Sequence, residues 1–127
     1  MKYIIRKLNH SNIIAVTVEG TLNEAERKNL YADAIEKLAF NGCNRLLIDI
    51  SKSTLSAQDT TGDAIDMAEY MKTFTLAENT KIAILSSSSE NFFKTFVVFA
   101  KIITDLDIMF FIRRNDAVEW LSAPQQG

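Results

Sequence analysis

Two five-residue runs constrain this chain most: Leu46-Leu47-Ile48-Asp49-Ile50 and Lys81-Ile82-Ala83-Ile84-Leu85. Both are almost wholly apolar, too short for a helix, and lack the alternation of a strand with one wet face. Such runs suit strands covered on both sides, and a parallel sheet with helices packed on it provides that environment. The segments between them are amphipathic at helical spacing. Tyr31, Ala34, Ile35 and Leu38 form one stripe, and Ala64, Met67, Ala68, Met71 and Phe74 form another.

The remaining elements fall into place around these. Tyr3–Leu8 and Ile13–Val18 read as strands joined by the turn formers Asn9-His10-Ser11-Asn12, hence an antiparallel hairpin. Thr21-Leu22-Asn23-Glu24 has the capping-box form and predicts the start of the first helix, with Gly42 as its stop. A polar stretch, Ser51–Gln58, leads to a second helix over Thr60–Ala77. A third helix is predicted over Glu90–Thr104, a fifth strand over Ile108–Ile112, and a last helix over Asp116–Leu121 capped by Asn115. The order ββαβαβαβα predicts an α/β fold with a single mixed, mostly parallel five-stranded sheet, an N-terminal antiparallel hairpin and four helices. One domain over residues 1–122 is expected, with residues 123–127 a frayed tail.

Charge and special residues narrow the function. The net charge is −2 and Lys and Arg form no long cluster, so no nucleic-acid partner is expected. The N-terminus carries charges where a signal peptide needs a continuous apolar core, and no apolar run is long enough for a transmembrane segment. Cys43 is the sole cysteine, which excludes an internal disulfide and fits a cytoplasmic location. With one Cys and one His, no metal site of the usual zinc spacing is available, and no cofactor is implied. The four glycines, at 20, 42, 62 and 127, write neither a dinucleotide fingerprint nor a phosphate loop. His10 lies in a hairpin turn and Cys43 follows a helix stop, so neither is set up as a base or nucleophile. No catalytic residue is assigned, and the chain is read as a non-enzyme.

Geometry supplies a candidate ligand edge. In open parallel sheets, ligands bind beyond the carboxyl ends of the strands, where adjacent connections diverge. Asp49, the serines Ser86, Ser87, Ser88 and Ser89, and the arginines Arg113 and Arg114 are all expected at that edge. Hydroxyls at a helix start beside arginines would suit a small anion. The alternative is that the serines only cap the helix and the arginines stay solvated. Asp49, a carboxylate within an apolar strand, either caps its own loop or faces a ligand.

The third helix is apolar beyond what one buried face requires. Phe92, Phe93, Phe96, Val97, Phe99, Ala100 and Ile103 cover one arc, while Val98 and Ile102 lie outside it, on the side of Lys94 and Lys101. This pair is a candidate interface for a protein partner or a homodimer, with the chain's own tail or a small apolar ligand such as a lipid as the alternative covers.

The segment Lys81–Leu121 resembles the STAS superfamily in its SpoIIAA-like branch. It runs strand KIAILS, apolar helix, strand DIMFFI and the ending NDAVEWL, in which Asp116, Ala117, Trp120 and Leu121 match the Asp/Glu-x-Ala-x-x-Trp-Leu ending of that branch. The resemblance implies a STAS/SpoIIAA-like fold and a regulatory module working through a protein partner. Members of the superfamily carry an Asp-Ser-Ser-Gly motif whose first serine is phosphorylated. Asp59-Thr60-Thr61-Gly62 stands in a similar place, with threonine for serine, so Thr60 is the implied phospho-acceptor; locally it also reads as a helix cap. The branch is also similar to lipid-binding domains of phosphatidylinositol-transfer proteins. A carrier or sensor of a small lipid is therefore the alternative, its cavity under the third helix lined by Met67, Met71, Phe96 and Phe99.

Overall fold

The computed structural model describes residues 2–9, 11–54, 61–87 and 91–123. Strands β1 (Tyr3–Lys7), β2 (Ile13–Thr21), β3 (Arg45–Thr54), β4 (Lys81–Leu85) and β5 (Asp107–Phe111) alternate with helices α1 (Glu24–Asn41), α2 (Thr61–Lys72), α3 (Asn91–Thr104) and α4 (Arg114–Ser122) in the expected order. The strands lie side by side as β1-β2-β3-β4-β5, with β1 antiparallel to β2 and every other pair parallel.

Period-two alternation along the strands sorts the core into two layers. Ile14, Val16 and Val18 of β2, Leu46, Ile48 and Ile50 of β3, and Ile82 and Ile84 of β4 meet the buried faces of α1, α2 and α3. The opposite residues Ile13, Ala15, Leu47, Ala83 and Leu85 pack against Ala117 and Leu121 of α4. Three right-handed crossovers along an ordered set of strands place their helices on one face, leaving α4 to cover the other.

Helix boundaries follow from capping chemistry. Asn23, two residues beyond the Thr21 cap expected from sequence, caps α1. Its side chain accepts from the Glu26 amide at 2.8 Å, and Glu26 Oε1 accepts from the Asn23 amide at 3.0 Å. That bond from the Asn23 amide is the main reason the Glu26 carboxyl lies below its usual range. Thr21 is unsuited to the role because it is still in β2, paired with Thr54. Gly42 ends the helix at φ 63°, a left-handed conformation that costs glycine little. At α4 the cap position is Arg113 rather than Asn115, and the Arg113 side chain makes no capping hydrogen bond.

α1 and α2 meet through an aromatic group. Phe74 contacts Tyr31 and Tyr70 edge to face, with both centroid separations 5.2 Å. Tyr31 is 1% exposed, and its hydroxyl meets no hydrogen-bonding partner among the described residues. Burial pushes its ionisation upward. An unpartnered buried hydroxyl is destabilising, so Tyr31→Phe is expected to raise stability by up to about 1 kcal/mol. Thermal denaturation checks this; a loss of about 1 kcal/mol or more would show that the hydroxyl is hydrogen-bonded.

Candidate functional site at the carboxyl edge of the sheet

β4 ends opposite Asp49, at the Asp49–Leu85 pair, and β3 continues to Thr54 beside β2 alone. The connection after β4 leads to α3 on one face, whereas the connection after β5 leads to α4 on the other. Adjacent connections therefore diverge between β4 and β5, the arrangement that opens a crevice in α/β sheets.

The structure brings Asp49, Ser86, Ser87 and Arg114 together there. Asp49 lies on the α4 side of β3, with 15% of its side chain exposed. Its Oδ1 accepts from the Ser51 amide at 2.9 Å and from the Ser51 hydroxyl at 2.5 Å. Its Oδ2 faces Arg114 Nη1 at 3.4 Å. The Ser87 hydroxyl donates to the Ser51 carbonyl at 3.1 Å, and the Ser86 amide donates to Phe111 O at 3.0 Å. Asp49 thus caps its own loop, and these contacts stitch the ends of β3, β4 and β5 together. Arg113 is exposed beside them, with its backbone extended at the start of α4. Ser88, Ser89, Thr60 and His10 lie outside the described residues.

Chemically the edge is balanced rather than primed. The Asp49 carboxylate is shared between a serine and an arginine, and the charge of Arg114 is correspondingly offset. Asp116 in the first turn of α4 further complements the helix dipole that Arg114 opposes. Among the described residues, no group of three His, Cys, Asp or Glu is placed to hold a metal ion. Cys43 is buried, its thiol 3.6 Å from Asn41 O.

On α3, Val98 and Ile102 are 55% and 71% exposed, outside the buried arc formed by Phe96, Val97 and Ala100. The residues named for a lipid cavity are divided. Met71 and Phe96 are buried in the main core, with Met67 and Phe99 half-buried against it.

Sequence reasoning missed a cationic pair on the α4 side of the sheet. Arg45 and Lys81 are neighbours in the β3–β4 register and only 8% and 7% exposed. Arg45 Nε donates to Leu121 O at 2.9 Å, and its Nη1 donates to Asn79 O at 2.5 Å and Asn44 O at 3.2 Å. Lys81 Nζ donates to Trp120 O at 3.3 Å and stands 5.0 Å from the centre of the Trp120 ring. Two cations thus hold the C-terminal end of α4, where the helix dipole is negative. A charge at the first position of each apolar strand is the sequence signal that marks them.

The family model described as SpoIIAA-like matches residues 13–122. This chain belongs to the SpoIIAA-like family. Solved structures share its fold at low identity. An uncharacterized protein from the DUF3478 family, with a SpoIIAA-like fold, from Shewanella loihica PV-4 is 18% identical, with TM-score 0.56, over 94% of this chain and 91% of that one. An anti-sigma factor antagonist from Mycobacterium paratuberculosis is 16% identical, with TM-score 0.57, over 95% of each chain. The anti-sigma factor antagonist SpoIIAA in its unphosphorylated form is 11% identical, with TM-score 0.55, over 96% of this chain and 99% of that one. A search of curated proteins finds no match. The SpoIIAA-like ending seen in the sequence forms α4, where Ala117 and Leu121 are buried against the sheet. Among the described residues, no helix is long and apolar enough to cross a membrane.

Proposed function

We propose that this SpoIIAA-like chain is a non-enzymatic regulatory module that works by docking a protein on the outer face of α3, a second copy of itself being the directly testable case. The observation that carries this reading is the exposed pair Val98 and Ile102, one helical turn apart on α3. An i,i+4 apolar pair is the pattern a helix offers to a partner groove or to another helix. The hydrogen bonding of Asp49, Ser51 and Ser87 supports binding over catalysis, because the Asp49 carboxylate at that edge is already engaged by Ser51 and Arg114. The anti-sigma factor antagonists that share the fold support a protein as the partner class. Thr60 is the proposed phospho-acceptor. A phosphate there would add negative charge to the region that follows the carboxyl end of β3 and so bias docking.

Sedimentation velocity of wild-type protein against the Val98→Asp/Ile102→Asp variant tests the docking face. The wild type is expected to self-associate and the variant to sediment as a monomer that keeps its fold by circular dichroism, because both side chains are exposed on the single chain. Unchanged association in a folded variant would remove α3 as the docking face.

A further inference from the structure

The edge strands of the sheet, β1 and β5, differ in charge. β1 carries Arg6 and Lys7, with Lys2 just before it, and all of these are exposed. Basic side chains along an edge repel a second such strand and blunt pairing. β5 has no charge between Asp107 at its start and Arg113 just beyond its end. Helices cover both faces of the sheet, yet Met109, Phe110 and Phe111 are only half-buried, and the adjoining Ile112 is 54% exposed. An apolar edge of this kind is a template for another strand.

Hydrogen bonding fixes which backbone groups of β5 point outward. The Ser86 amide donates to Phe111 O at 3.0 Å, so Phe111 turns its backbone toward β4. That direction alternates along a strand, and Ile108 and Phe110 therefore present amide and carbonyl to the open side. Ile112 carries the alternation on to Arg113, whose backbone is still extended. Among the described residues no hydrogen bond takes up these outward groups.

We infer that β5 pairs antiparallel with β5 of a second copy of this chain, about a two-fold axis at Phe110. In that register the outward backbone of Phe110 bonds its own counterpart in both directions, and Ile108 lies opposite Ile112 of the partner subunit. Met109 lies opposite Phe111 of the partner subunit, and Asp107 meets Arg113 of the partner subunit. Opposite side chains of an antiparallel pair share a face, so the carboxylate and the guanidinium fall on the same side of the joined sheet. The neighbouring registers would set Asp107 against Phe111 or Asn115, so charge selects this one. Lys81, the β4 neighbour of Asp107, is 7% exposed and bonded to Trp120 O, and no ion pair joins it to Asp107 among the described residues. The axis stands perpendicular to the sheet, so the two α3 helices, each packed on its own β5, become neighbours across the seam. The inference rests on the α3 reading in taking a second copy as the partner, and adds a backbone seam to it.

The test is amide hydrogen exchange of the wild type at low and high concentration, with sedimentation velocity of Ile112→Lys and Arg113→Glu. Protection of the Phe110 and Ile112 amides is expected to rise about tenfold or more on association. Ile112→Lys places a charge in the apolar seam, and Arg113→Glu sets like charges opposite each other. Symmetry makes each change act twice, so the dimer Kd is expected to rise about tenfold in either variant. Both side chains are exposed, so circular dichroism should show the fold kept. Protection that persists in Val98→Asp/Ile102→Asp would support the seam and remove α3. Fast exchange of Phe110 and Ile112 in an associated wild type would overturn the seam and leave α3 docking standing. A wild type that is monomeric at every concentration, or undiminished association of either variant, would also overturn the seam.

Discussion

Leu47→Ala is expected to destabilise the protein by about 3 kcal/mol. Leu47 is fully buried in the layer beneath α4, whose hydrophobic cluster has only seven buried residues among those described. Three of the seven are alanines, Ala15, Ala83 and Ala117, and their small side chains suit a close approach of the helix to the sheet. A layer so thin has few large side chains to spare. Neighbouring alanines cannot swing into a void, so the cavity should persist instead of collapsing. Chemical denaturation checks the figure. A loss under about 1 kcal/mol would mean that α4 settles into the vacated space.

Arg45→Ala carries the second large effect, an expected loss of about 2–4 kcal/mol and a Tm lower by about 10 °C. The substitution removes three charge-assisted bonds and leaves the carbonyls of Leu121 and Asn79 without that donor. Arg45→Lys keeps the charge but not the planar fork, so it should recover less than half of the loss. Trp120, the single tryptophan, reports locally because it packs against Phe111 at 5.6 Å and beside Lys81. Its emission should shift to the red in Arg45→Ala as the end of α4 loosens. An unchanged melt and spectrum would show that apolar contacts alone hold the helix.

The fold was legible because its strands are short, apolar and separated by stripes at helical spacing. β4 shows this most simply: its four apolar residues, Ile82 to Leu85, are all buried, as their composition implies. Errors fell where two local signals overlap. Thr21-x-x-Glu24 and Asn23-x-x-Glu26 both have capping-box form, and strand pairing of Thr21 with Thr54 decides between them. The polar Ser51-Lys52-Ser53-Thr54 reads as loop from sequence, yet it extends β3. Polar residues suit this extension because β4 has already ended, leaving a neighbour only on the β2 side.

The carboxyl edge was legible to the extent that strand ends gather there, and Asp49, Ser86, Ser87 and Arg114 do converge. What sequence could not supply was the partner of each group. That Asp49 would be taken up by Ser51 and Arg114 depends on where α4 starts, and no side-chain cap marks that start.

Native mass spectrometry of protein purified without refolding tests the central claim most directly. A dimer without added mass, reduced to a monomer by Val98→Asp/Ile102→Asp, is the predicted result. A wild-type monomer carrying a discrete lipid-sized or anionic adduct would contradict it, and would make the chain a carrier instead of a docking module.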